Sequence, residues 1–151
     1  LSPNLSVLDV AVGSGVIQHD MDTSPLGDPV GLLSGINVVH VPADPALCEA
    51  LSDCARACEL TVQSGTIATG DQFIASPEKK TYIRDTFGAI ACEMEGAAIA
   101  HVCRLFGTPF GILRSISDCA NEDSPVDFPT FVKLAADNAA SVIANYLDSL
   151  N

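Results

Sequence analysis

The sequence predicts an α/β fold, with a mixed, largely parallel sheet flanked by helices. Three observations lead there. Apolar stretches of strand length recur along the chain, from "SVLDVAVGSGVI" (6–17) onward. They alternate with stretches whose apolar residues fall at helical spacing. The strands are also near-continuously apolar, the pattern of strands covered on both faces.

The elements follow in order. Residues 6–17 read as the first strand, with Gly13 and Gly15 near its end. Residues 18–45, rich in Gly, Pro and Asp, read as one long ordered loop, a length that usually signals a functional or interfacial role. Asp44-Pro45 opens a helix, because proline suits the first helical turn, and "ALCEALSDCARACEL" continues it. Residues 61–70 form a second strand ending at Gly70. Ser76 is placed to cap a short helix running to Phe87. A buried strand (89–94), a helix ended by Gly107 (95–107) and an apolar strand (110–117) come next, and Phe128 to Leu150 is a long amphipathic helix. The strand–helix–strand unit 89–117 is expected to be one right-handed βαβ crossover, with both strand ends on one rim of the sheet. Ligands of open α/β sheets bind at that rim.

Composition narrows the function classes. Seven Lys+Arg against nineteen Asp+Glu give a formal net charge of −12, so nucleic acid and anionic membranes are poor partners. Charged residues are only 17% of the chain and hydrophobic ones 48%, so part of the surface is expected to be covered by another chain or segment. No apolar run approaches membrane-spanning length and no signal-peptide pattern opens the sequence. The six cysteines contain no CxxC pair and lie in core-like segments, which reads as small buried hydrophobes in a reducing, cytoplasmic compartment. The three histidines are too scattered for a metal site, and no metal or cofactor is expected.

The chemistry gathers where strands end. "CEMEG" puts Glu93, Met94 and Glu95 at one strand-to-helix turn, and "SISDC" puts Ser117 and Asp118 after another apolar strand. Glu95 has two readings: a helix N-terminal acid, or a carboxylate accepting the paired hydroxyls of a ribose. Asp118 is either a turn cap or a general acid whose pKa its apolar setting raises. Arg114, inside a strand, reads as the buried partner of an acid. Phe73 and Ile74, after the Gly70-Asp71 turn, are either ordinary core or an aromatic plane beside a free backbone edge, which suits a purine.

Taken together, "GDQFI", "CEMEGAAIAHVC", "LRSISDCA" and "VDFPTF", in this order and spacing, closely resemble the 5′-methylthioadenosine/S-adenosylhomocysteine nucleosidases of the purine nucleoside phosphorylase superfamily. The resemblance covers essentially the whole chain. It implies hydrolysis of an N-glycosidic bond, releasing adenine and a 5-thio-ribose. It further implies that Asp118 protonates adenine N7, with Ser117 beside it, and that Arg114 organises the region of the attacking water. Glu95 would hold the ribose hydroxyls and Met94 would pack on the sugar. Phe73 would stack on adenine, the Ile74 backbone would read its edge, and Phe128 would line the 5′-alkylthio pocket. In the dimers of this family the segment corresponding to 18–45 reaches the neighbouring subunit's 5′ pocket, which singles out Thr23 and Leu26. Relatives place an aromatic residue near Leu26, so the preferred 5′ substituent stays open.

The resemblance also implies a further N-terminal portion, carrying the first strands, a glycine-rich turn and the glutamate that activates water. The expected domain, 1–151, is therefore N-terminally incomplete, with no acid in 1–17 replacing that glutamate, since Asp9 is placed mid-strand. The expected partners are an adenine thio-nucleoside and a second copy of the chain, a companion N-terminal segment, or both. The rival readings are a phosphorolytic purine nucleoside phosphorylase and a non-catalytic nucleoside-binding relative.

Overall fold

The computed structural model describes residues 1–117 and 128–150. Its strands are β1 (Val10–Gln18), β2 (His40–Pro42), β3 (Val62–Thr69), β4 (Ala89–Glu93) and β5 (Leu113–Ser115). The helices are α1 (Pro45–Ala57), α2 (Pro77–Phe87), α3 (Gly96–Phe106) and α4 (Phe128–Asp148).

The sheet is mixed and largely parallel, as expected. β3 runs parallel to β1 along its whole length, from Val10↔Val62 to Gln18↔Thr69, and β4 runs parallel to β3. The other edge of β1 is shared by two short antiparallel strands. β5 pairs with Val10–Val12 and β2 with Gly15–Ile17. A register shift between Gly13 and Gly15 divides β1. It explains why Ala11 and Val16, five residues apart, share one core cluster, since the extra residue reverses the two-residue alternation.

Helices cover both faces. On one, Ala97 and Ala100 of α3 pack against Ala11, Val16, Ile67 and Ala91, with small side chains letting the helix sit close to the sheet. On the other, Val10 and Val12 meet Leu51 and Ala55 of α1 and Val142 of α4. The helix starts match their local chemistry. Asp44 accepts a hydrogen bond from the Leu47 N–H (2.9 Å) and Ser76 from the Lys79 N–H (3.3 Å), each just before a proline. Gly88 and Gly107 end α2 and α3 with left-handed backbones.

Four expectations are corrected. The unit 89–117 is not a parallel βαβ crossover, because β5 is antiparallel to β1 and so to β4. An apolar strand looks alike in sequence whichever way its neighbour runs, and after α3 the chain descends on the far edge of β1. The strand placed at 110–117 shortens to Leu113–Ser115, although backbone pairing continues as Leu8 and Ile116 bond (2.9 Å). The segment 18–45 is not all loop. It holds β2, a 3₁₀ turn at Ser24–Leu26 and a bridge between Leu33 and Val38. Asp9 precedes β1 rather than lying mid-strand, and its carboxylate accepts from the Ser6 N–H (2.7 Å).

All five described cysteines are free, and no group of three or more metal-binding side chains occurs among the described residues. No helix among them is long and apolar enough to cross a membrane. The expected uncovered apolar surface is present on α3, where Ile99, Val102 and Phe106 (80% accessible) face outward.

Candidate active site

A cavity of about 510 Å³ opens where β4 ends, and three short segments wall it. One is the loop after β3, with Gln72, Phe73 and Ile74. The second is the turn from β4 into α3, with Glu93, Met94 and Glu95. The third runs from β5 into the residues just beyond it, with Arg114, Ile116 and Ser117.

Glu93 is the centre of the second wall. Its side chain is nearly buried, and Thr69 Oγ1 donates to it from the end of β3. The Glu95 N–H (3.1 Å) and Gly96 N–H (2.8 Å) donate to Glu93 Oε2, at the point where α3 leaves its first amides without helical partners. Thr69 Oγ1 in turn accepts from the Ala97 N–H (2.9 Å). Gly96 lets Ile112 and Glu93 come close, since a Cβ there would lie 2.5 Å from Ile112 Cδ1 and 2.9 Å from Glu93 Oε1.

Arg114 completes the corner. From its place opposite Ala11 in β5 its guanidinium reaches across to Glu93 and, at 2.9 Å, to Glu95. The expectation of an acid partner is met twice over. Glu95 stays largely exposed, and although it occupies the cap position of α3 its side chain does not cap the helix. Glu93 does that instead, while the Glu95 charge still lies at the positive end of the helix dipole. Glu95 Oε2 is held by Arg114, and Oε1 accepts from no described residue.

The first wall is a loop rather than core. Ile74 tucks its side chain against Ile17, Ala68 and Ile83, while Phe73 turns outward and is 78% accessible. Met94 is also exposed at the cavity. Cys92 lies behind them, its thiol pushed up to about 11 by burial, with the Glu93 charge adding to the effect.

Of the residues singled out in the sequence, Phe73, Ile74, Met94, Glu95, Arg114 and Ser117 all line this one cavity. Asp118 and the side chain of Phe128 lie outside the described residues. Thr23 and Leu26 do not reach the cavity of their own chain. Thr23 donates to Asp28 (2.8 Å), and Leu26 is 83% accessible at the tip of its turn. Sequence reasoning placed Glu93 on the rim but gave it no task. The available signal was a carboxylate three residues ahead of a buried helix N–H, the spacing of a cap acceptor. Nothing in the sequence flagged Leu1, which also lines the cavity.

A family model described as the phosphorylase superfamily matches residues 1–148. The chain belongs to the phosphorylase superfamily. Among similar relatives is a 5′-methylthioadenosine/S-adenosylhomocysteine nucleosidase of Shewanella denitrificans, 40% identical over 97% of this chain and 64% of its own length. The structure of the Campylobacter jejuni 5′-methylthioadenosine/S-adenosyl homocysteine nucleosidase superposes with a TM-score of 0.91 at 35% identity, covering 99% of this chain and 65% of that one. The futalosine hydrolase of Helicobacter pylori superposes with a TM-score of 0.86 at 32% identity, over 97% of this chain and 61% of that one. This superfamily member thus spans just under two thirds of the length of the relatives it matches, and its cavity lies within the shared part.

Proposed function

We propose that this protein hydrolyses the N-glycosidic bond of S-adenosylhomocysteine and 5′-methylthioadenosine. The observation that carries the reading is the meeting of Phe73, Met94–Glu95 and Arg114–Ser117 around one cavity, in a chain so similar to nucleosidases of that name. An aromatic plane, a soft apolar side chain and a carboxylate oxygen without a partner among the described residues suit a base, a sugar face and a ribose hydroxyl in turn. On this reading Phe73 stacks on adenine, the Ile74 backbone meets its edge, Met94 packs on the ribose and Glu95 accepts from its hydroxyls. Asp118 protonates N7 of the leaving base. That step is needed because C–N cleavage passes through an oxocarbenium-like state with charge building on the leaving group. Phe128 borders the 5′ substituent.

Arg114, with Lys80 one of two cationic side chains among the described residues of the cavity lining, is committed to carboxylates rather than left for a phosphate nucleophile. Phosphorolysis needs donors for a phosphate anion, and Arg114 already serves two carboxylates. Glu93 and Glu95 are the only carboxylates among the described residues of the cavity lining, and both are engaged by Arg114. Following the resemblance to the nucleosidases, the water-activating base is proposed to come from a companion N-terminal segment. A second copy is proposed to cover the Ile99–Val102–Phe106 face of α3 and to receive Thr23 and Leu26 at its 5′ pocket. The free cysteines suit a cytoplasmic setting.

Adenine release from methylthioadenosine, measured for the 151-residue chain with and without the N-terminal portion of a relative, tests the reading. Release restored by that portion supports it, and Asp118→Asn in the restored enzyme should then lower turnover by about 10²–10⁴-fold with nucleoside affinity kept. Turnover that requires phosphate would favour the phosphorylase reading. Binding without release, even in the restored enzyme, would favour a nucleoside-binding protein.

A further inference from the structure

His19 and Asp20 come directly after the last residue of β1 and lie outside the cavity lining, yet they hold the loop that forms its first wall. The His19 N–H extends the parallel ladder by donating to the Thr69 carbonyl (2.9 Å). Its imidazole, 6% accessible, lies against Gly70 so closely that a Cβ at that position would sit 2.3 Å from Nε2 and 2.6 Å from Cε1. One residue on, Asp20 Oδ2 accepts from the Asp71 N–H at 2.7 Å. Gly70 also donates to the Glu93 carbonyl (3.2 Å). The chain then runs through Gln72 to the exposed Phe73 and the half-buried Ile74. His19 Nε2 and Asp20 Oδ1 are buried without a hydrogen-bond partner among the described residues, so two costly polar atoms are kept under this loop.

We propose that His19 and Asp20 are positioning residues: the imidazole sets the path of Gly70 and the carboxylate fixes the Asp71 amide, so that Phe73 and Ile74 are presented to the ligand. The inference rests on the nucleosidase reading for what that ligand is, an adenine nucleoside. This pair, His19 buried and Asp20 half-buried, acts through backbone placement and touches no reacting atom. A charge-assisted bond to a backbone amide is among the stronger single hydrogen bonds, which makes Asp20 the more sensitive position.

The experiment measures two things on the whole chain: methylthioadenosine affinity, and hydrogen exchange of the amides from Asp71 to Ile74. Asp20→Ala should speed exchange at Asp71 and weaken binding about tenfold, whereas Asp20→Asn, which keeps an acceptor oxygen, should restore most of both. Gly70→Ala should weaken binding by driving a methyl into the imidazole, and His19→Ala in the same chain should relieve that loss. The two changes together should thus cost less than the sum of their separate effects. A general structural role would slow or speed exchange across β1 and β3 alike and would not be rescued by asparagine. Unchanged exchange at Asp71 in Asp20→Ala overturns the anchoring. Faster exchange with unchanged affinity overturns the positioning role. Failure of the wild-type chain to bind methylthioadenosine overturns the nucleosidase reading instead, and the exchange result still decides the anchoring.

Discussion

The two sides of the cavity are built in opposite ways. At the β4–α3 corner, Glu93 receives bonds from Thr69, Arg114 and two backbone amides, all from the ends of packed elements. Across from it, the loop 70–74 bears Phe73 with most of its side chain in solvent. That loop keeps its place through Ile74 and the two residues beneath it, His19 and Asp20. The charged wall is thus over-determined, and the apolar wall is held by a few contacts made outside the cavity. Damage to the first should be read as lost stability, damage to the second as lost affinity.

Removing Glu93 tests the first half of that contrast and should have the largest effect. Glu93→Ala leaves the Thr69 hydroxyl and the Glu95 and Gly96 amides short of a partner and takes one of its two carboxylates from the partly exposed Arg114, which keeps Glu95. Losing these bonds together costs about 3 kcal/mol. The melting temperature should fall by roughly 6–12 °C in a chain of this size. A fall of less than a degree or two in thermal unfolding would mean that solvent replaces these bonds readily and that the corner is not rigid.

Phe73→Ala should do the reverse. An exposed side chain contributes little to folding, so stability should stay within about 0.5 kcal/mol of wild type. Loss of one aromatic stacking partner should nevertheless weaken methylthioadenosine binding about tenfold. Titration calorimetry beside a melting curve separates the two. Equal losses in both would mean that Phe73 packs as core and that the contrast between the walls is mistaken.

The sequence carried the parts of this site that depend on local pattern. Glu93 and Glu95 at the end of β4, the cap at Ser76, Pro45 in the first turn of α1 and the glycine that ends α3 come from short-range chemistry, and the structure places them as expected. The direction of β5 and the existence of β2 were not legible, because each is decided by which edge of β1 is free, a tertiary matter. Arg114 reads in the sequence as the partner of an unnamed acid, and it meets Glu93 and Glu95 from an antiparallel strand rather than from a parallel crossover. His19 and Asp20 escaped notice for a related reason. "QHDMD" reads as polar loop, and only the parallel register of β1 with β3 sets it beneath Gly70.

The least expensive test of the contrast is acidity, and its effect should be the smallest. Burial holds the His19 imidazole below its ordinary pKa of 6.5; Lys79 lowers it further, while Asp20 pulls it back. An unfolded chain therefore takes up this proton at a higher pH than the folded one. The stability tied to neutral His19 is complete above pH 6.5 and is lost as pH falls through the lower folded value. A protonated ring pressed on Gly70 must find solvent, and the loop 70–74 is the part able to yield. After correction for intrinsic rates, exchange at Asp71 should accelerate below pH 6.5 before exchange at Gly96 and Ala97 does. His19→Gln should remove the step. If the glutamine variant keeps the same acid step, carboxylates elsewhere control the loop, and the two walls share one response to pH.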